Sequence, residues 1–577
     1  MNRPKGVQIL IDILICSMLL SGCTQVQPYT GSSPFEYREI HLPALPAEEA
    51  PKYLNSIDLD WGIWGHNLSV VLPSKPSPSV FAKESEGISV NKEQFCFSSD
   101  ALFKYIRDYI RDNYGSEPTM RFAILPNDNS VVCTCAHCLE CGNTAHDCSG
   151  AVHHLLERLC EEFPNHIFFT SHYRTTSKVP TKPLPANAGV LVSAIDFPLS
   201  PVYKEAEDEF VGLLKKWSGL TSHLYVWDYI NNFDDYFTPY PIFDSIRHRL
   251  QLYVKYGVNG VFFNGSGYEY STMYKLKTHV LAALLEDPET RWRPLLKSLC
   301  REKYPVTGDV ISNFVTLQED IVTEKGLSLP LYEGVPVAMK TYLPARDFVQ
   351  FHDELLRLLP STQGQEHEDV QKMSRAMMLT RLELKRIAGD TFESQPMLKE
   401  LEASSRQGII AYSEGGGSTA SYLNEYRFML EHAEEMSGKD LLKGVRLEAL
   451  TALDEEYTDI TLLTDGLLGL PSNYHCGQLI SSAKPALRIS IPHRDGMRRL
   501  RVYMTRNNIY HIGFPESLTL TAGARRLGTV VPTPIPGNLQ RAVAEFDVSS
   551  VSNGTFVLSV TRDLEVRTMA LDEIEAY

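Results

Sequence analysis

Carboxylates recur where short apolar runs rich in β-branched and aromatic residues come to an end. Asp228 follows 224–227 within Trp227-Asp228-Tyr229, Asp128 follows 120–125, and Asp196 follows 188–195. Glu269 stands beyond Asn264-Gly265, where 258–263 ends, and the pair Asp234-Asp235 lies between these runs. Two carboxyl groups flanking one bond are what glycoside hydrolysis requires, one as acid and the other as nucleophile or base. The neighbouring groups suit a sugar: Trp227 and Tyr229 can cover the apolar face of a ring, and His66, Asn67, His172 and Asn264 can hydrogen-bond its hydroxyls. Each Asp taken singly also fits a helix cap or a loop-ordering acceptor, and each His fits a satisfied structural ring. Their repeated placement after strands points to the group rather than to any one member.

A second cluster offers sulfur. Cys133, Cys135, Cys138 and Cys141 form CxCxxCxxC, with Cys148, His137 and His146 close by. Four thiolates are enough for a tetrahedral zinc, and the same density in an exported chain also fits disulfides such as Cys135–Cys141 or Cys138–Cys148. Either way the loop reads as a structural knot, not a catalytic metal centre, and no other cofactor is expected. Cys96, Cys160, Cys300 and Cys476 read as ordinary buried thiols.

The elements that must position these groups alternate. Residues 223–267 read as strand, polar aromatic loop, amphipathic helix and strand, the βαβ unit of a parallel sheet. Upstream, 99–114, 151–163 and 203–217 have helical periodicity, while 120–125, 166–170 and 188–195 read as strands. In a β/α barrel the C-terminal strand ends carry the chemistry. Residues 306–440 are dominated by helical runs, and from about 457 short alternating segments separated by Gly, Pro and Asn indicate an antiparallel sandwich.

A net charge of −16 excludes a nucleic-acid partner, which needs a basic surface. Arg3 and Lys5 precede a mostly apolar stretch, 7–20, which is too short to span a bilayer and ends in Leu20-Ser21-Gly22-Cys23. Small residues before a Cys resemble the lipobox of bacterial lipoproteins. That resemblance implies cleavage before Cys23, lipidation of its thiol, and a lipid-anchored protein of the bacterial cell envelope, at the outer membrane.

The central stretch WDYINNFDDYFTPYPIFDSIRHRLQLYVKYGVNGVFFNGSG, followed by LKTHVLAALLEDPET, resembles the family named domain of unknown function 4838. WGHNL at 64–68, FCFSSDALFKYI at 95–106 and LPNDN with the Cys-rich loop at 125–141 are similar in style. The resemblance covers about 55–305 and implies a glycoside-hydrolase-like barrel that processes a carbohydrate. ITLLTDGLLG at 460–469, with LRISIP and RVYMTRN after it, is similar to galactose-binding-like (discoidin-type) sandwiches.

The fold class that follows is α/β: a TIM-like (β/α) barrel, complete or lacking some initial strands, with a helical subdomain and a C-terminal β-sandwich. The expected boundaries are 1–23 signal peptide, 24–50 tether with a short strand around 37–42, 51–305 barrel, 306–450 helical subdomain and 451–577 sandwich. The favoured activity is glycoside hydrolysis with Asp128 and Asp228 as the acid/base pair, followed by Asp196 and Glu269. The alternatives are a non-catalytic surface glycan-binding lipoprotein and a scaffold for protein partners.

Overall fold

The computed structural model of the protein describes residues 33–83, 90–200, 204–267, 271–388, 394–405, 413–414, 418–454, 457–473, 475, 477–482, 485–563 and 568–577. The expected leader with Cys23, and Glu269, lie outside the described residues. None of the described helices is long and apolar enough to cross a membrane.

The first nine strands are β1 Tyr37–His41, β2 Trp61–Ile63, β3 Phe81–Lys83, β4 Val90–Phe95, β5 Arg121–Ala123, β6 Ile167–His172, β7 Ala188–Ser193, β8 His223–Tyr229 and β9 Gly260–Asn264. Seven of them form one curled parallel sheet in the order β1-β9-β8-β7-β6-β5-β2, and β3 and β4 pair as a separate antiparallel hairpin. The strand sequences are β-branched and aromatic, and amphipathic helices pack on their outer side. One of these, Asp100–Asn113, is capped by Ser99, whose hydroxyl accepts from the Leu102 N–H at 3.4 Å.

Side chains alternate across a strand, so each barrel strand feeds two cores. Val190, Val192, Leu224, Val226, Val261 and Phe263 meet the helices. Tyr37, Trp61, Phe169, Leu191, Tyr225 and Phe262 fill the concave side. Gly189 and Gly260 make that filling fit: a Cβ on either would lie 2.4 Å or less from the ring of Phe169 or Tyr225. β1 and β2 are the sheet's edges and are not hydrogen-bonded to each other. Their side chains close the gap instead, the Tyr37 ring standing edge-on to Trp61 at 5.7 Å and stacking on Tyr225 at 5.4 Å.

The expected α/β fold with an incomplete barrel, helices and a C-terminal sandwich is therefore what the chain adopts. The short strand expected within the tether 24–50 forms, at Tyr37–His41, and it joins the barrel sheet. Residues 37–41 pair in register with Gly260–Asn264 and supply a barrel strand, because Tyr37 brings a ring that the concave core needs.

Helices from Trp292–Lys303 to Thr419–Met436 form the middle region, and two antiparallel sheets make up the sandwich beyond it. A buried ion network ties these last two parts together. Arg541 donates to Asp572 at 2.6 Å within the sandwich, and to Glu425 of the helix Thr419–Met436 at 2.9 Å. Its guanidinium also reaches the Gly469 carbonyl. Arg541 and Asp572 are at most 1% exposed, and a buried charge that loses its partner costs about 3–5 kcal/mol. Arg541→Ala is accordingly expected to lower unfolding free energy by about that amount in urea titrations. Arg541→Lys should not restore it, since an ammonium lacks the guanidinium fork. A loss below about 1 kcal/mol, the range of surface pairs, would contradict the role given to this network.

Candidate active site

The C-terminal strand ends open into a cleft of about 690 Å³. Trp227 and Tyr229 of β8, Asn264 at the end of β9, and Ser171 and Ser193 of β6 and β7 line its barrel side. His66 follows β2, Asp128 follows β5, and Tyr173-Arg174 follow β6. The remaining wall comes from elsewhere in the chain: Tyr332 and Glu414 from the helical region, and Tyr457, His475 and Tyr510 from the sandwich.

Local structure sets each group. Gly65, at φ +57°, turns the chain after β2, and a Cβ there would meet the ring of Trp227 at 3.6 Å. The next residue, His66, directs Nδ1 at the Pro126 carbonyl, 2.5 Å away. A carbonyl only accepts, so Nδ1 carries a proton and Nε2 is the ring nitrogen left for another partner. Asn127 and Asn129 donate to the Glu93 carbonyl at 2.8 and 2.9 Å, pinning the loop around Asp128 to the β3–β4 hairpin. The exposed Asp128 carboxylate meets Arg174 Nη1 at 2.9 Å. Arg174 holds a left-handed backbone, φ 45°, an unfavourable conformation for a residue with a Cβ and of a kind that gathers at functional sites. Trp227 stacks on Trp64 with centroids 4.9 Å apart.

The electrostatics keep the tyrosines as donors. Burial, with the Asp128 charge adding to it, pushes the Tyr173 hydroxyl to about 12. Burial likewise raises that of Tyr229, which lies 3.4 Å from Ser193 Oγ. Burial lowers His475 to about 4, so its ring is neutral near pH 7, between Tyr332 and Tyr457 at 5.1 and 6.2 Å. Glu414 is held by its N–H, which donates to the Phe233 carbonyl at 2.8 Å. Much of the residue is exposed, but its carboxyl stands at the crowded cleft mouth. Loss of water there raises its pKa above the usual carboxylate range, and the Asp128 charge adds to the rise. The Tyr332 hydroxyl, 3.4 Å away, works in the opposite direction.

Of the residues singled out from sequence, this cleft gathers His66, Asp128, Trp227, Tyr229 and Asn264. Others need correction. Asp228 is fully buried on the helix side of β8, paired with Arg249 and accepting from the Tyr253 hydroxyl at 2.5 Å. Alternation is the reason: with Trp227 and Tyr229 facing the cleft, Asp228 must face the helix Phe243–Lys255. His172 is turned outward on β6 in the same way, its ring 6.1 Å from Trp217, and burial lowers its pKa. It shares a separate outer cleft of about 630 Å³ with Asp196, behind a wall made by Tyr173 and Arg174. Asn67 is exposed and is not part of the cleft lining. Asp234 and Asp235 accept backbone N–H groups, from Glu333 at 2.8 Å and from Phe237 and Thr238 at 2.9 and 3.1 Å. In the cysteine loop, Cys133, Cys135 and Cys138 converge with Cys96. Cys141 does not join them and instead lines a surface pocket with His137 and His153.

Glu414, Arg174, Tyr332, Tyr457, His475 and Tyr510 are the cleft groups that sequence reasoning passed over. For Glu414 a signal was present in the sequence: it directly precedes the run Gly415-Gly416-Gly417, within a stretch otherwise read as helical.

Residues 64–316 match the family model described as Domain of unknown function (DUF4838), which bears out the resemblance read from the central stretch. No curated protein matches the sequence. Among solved structures the chain is similar to a family GH115 4-O-methyl-alpha-glucuronidase with specificity for decorated arabinogalactans. The identity is 11% and the TM-score 0.34, covering 83% of this chain and 66% of that one, just under two thirds of its length. It is also similar to a GH138 enzyme targeting pectin rhamnogalacturonan II, at 8% identity and TM-score 0.33, over 97% of this chain and 88% of the other. A Streptococcus pneumoniae fucose binding module is similar over 24% of this chain and 97% of its own, at 13% identity and TM-score 0.19.

The two aspartates separate cleanly in a stability measurement. Asp228→Ala is expected to cost about 3–5 kcal/mol in denaturant unfolding, since it strands the buried Arg249. Asp128→Asn, which breaks an exposed ion pair, should cost less than about 1 kcal/mol. Equal effects would contradict the opposite facing of these two residues.

Proposed function

We propose that the protein hydrolyses a glycosidic bond in a glycan bound across the cleft at the barrel mouth. The observation that carries this reading is the placement of two carboxyl groups, Asp128 and Glu414, within electrostatic reach of each other in one aromatic-walled cleft. Their environments differ, as an acid/base division of labour requires. Glu414, with its raised pKa, is the proton donor to the leaving oxygen. Asp128, beside the permanently charged Arg174, is the carboxylate that serves as nucleophile or base. Trp227 and Tyr229 offer surface for a sugar ring, while His66 Nε2 and Asn264 take its hydroxyls. This pair replaces the one expected from sequence, in which Asp228 stood where Glu414 now does.

The ion pair between Asp128 and Arg174 favours a second reading, a glycan-binding protein without catalysis, because a carboxylate already paired is a weaker nucleophile. In either case we place the protein at the bacterial cell envelope, anchored through Cys23 as a lipoprotein. Cys23→Ser is then expected to move the protein out of the membrane fraction on cell fractionation. Unchanged membrane association would contradict the anchor.

A panel of polysaccharides incubated with the purified protein distinguishes the two functional readings. New reducing ends are expected, falling by roughly 100-fold or more in Asp128→Asn and in Glu414→Gln while glycan binding is retained. As the acid, Glu414 must be protonated, so kcat/KM should fall as pH rises through its raised pKa. That basic limb lies above the usual carboxylate value of about 4.3. Binding without cleavage in all three proteins would favour the non-catalytic reading, and cleavage surviving both substitutions would remove this pair.

A further inference from the structure

The knot beside the Asp128 loop has a geometry of its own. Cys96 directly follows β4, Cys133 and Cys135 lie on the loop after β5, and Cys138 sits in the short helix Ala136–Glu140. Their four Sγ atoms lie within 4.8 Å of one another. Cys96 Sγ is 3.7 Å from both Cys135 Sγ and Cys138 Sγ. A tetrahedral zinc with Zn–S bonds of about 2.3 Å sets its sulfurs about 3.8 Å apart along each edge. A disulfide would draw one pair to about 2.05 Å and leave two thiols behind. All four cysteines are free, three of them buried and Cys135 half-buried.

The surroundings supply what thiolates need. The Lys83 N–H donates to Cys133 Sγ at 3.3 Å, and Ser98 Oγ lies 3.1 Å from Cys138 Sγ. An all-sulfur set is soft and selects zinc over calcium or magnesium.

We propose that Cys96, Cys133, Cys135 and Cys138 bind one zinc ion as a closed structural site. Four protein ligands leave no open position for chemistry. The ion joins the end of β4 to the loop after β5. Gln94 strengthens the same junction, donating to the Asn127 carbonyl at 3.1 Å and accepting from the Asn127 N–H at 3.0 Å. The site thus fixes one side of the loop that presents Asp128. Spacing alone would close the set with Cys141, whereas the fold closes it with Cys96.

The full chain, purified without chelator, is expected to carry one equivalent of zinc by elemental analysis. Exchange with cobalt should give the visible bands and thiolate-to-metal charge transfer of a tetrahedral tetrathiolate. Cys96→Ser should lose most of the metal and melt at a lower temperature, while Cys141→Ser keeps both at the wild-type level. If Cys96→Ser does not fold, the wild-type cobalt spectrum and the Cys141→Ser metal content still decide. The proposal is overturned by a metal-free chain with cysteines cross-linked under non-reducing mass spectrometry, by iron in place of zinc, or by zinc lost from Cys141→Ser.

Discussion

The arrangement of the molecule depends on the two-residue repeat of its parallel strands. On β8 that repeat sends Tyr225, Trp227 and Tyr229 to the concave side and Leu224, Val226 and Asp228 to the helices. On β6 it separates Phe169 and Ser171 from Phe168 and His172 in the same manner. A register change of one residue would exchange these sets and put Asp228 in the cleft at the cost of its aromatic floor. The concave side below that floor is packed with rings, so among the described residues of the barrel it is the groups at the strand ends and their loops that face the cleft.

The open edge of the sheet matters less than its strand order suggests. Tyr37 and Trp61 meet across the gap between β1 and β2, and Glu39 of β1 accepts from the Ile57 N–H at 3.0 Å just ahead of β2. Burial raises Glu39 to about 7. The barrel mouth is in turn completed from outside the barrel. Tyr332 and Glu414 come from the helical region, and Tyr457, His475 and Tyr510 from the sandwich, so the cleft needs all three parts of the chain. Arg541 locks the sandwich to the last helix, and Arg386 of the helix Gly364–Ile387 adds a hydrogen bond to the Leu468 carbonyl at 2.9 Å. The matched segment 64–316 therefore contains Asp128 but not Glu414.

Much of this architecture was legible in the sequence because it rests on local pattern. Strand and helix periodicities, the helical middle and the β-rich end are all properties of short windows. The site was legible only in part. Reading a strand end as a place for chemistry says nothing about which face a residue takes, and Asp228 was misjudged for that reason. Asp128 sits in a loop after its strand, so alternation did not bear on it. Glu414 and Cys96 were passed over because their partners are distant in sequence: each belongs to a group that exists only after the sheet has curled and the later regions have docked.

The most direct test of the account is the structure of the protein with a bound oligosaccharide, chosen from whichever polysaccharide it retains. The expected result is a sugar ring against Trp227 and Tyr229, with a glycosidic oxygen between the carboxyl groups of Asp128 and Glu414. A sugar bound only in the outer cleft beside His172 and Asp196, or only at the loop tips of the sandwich, would contradict it.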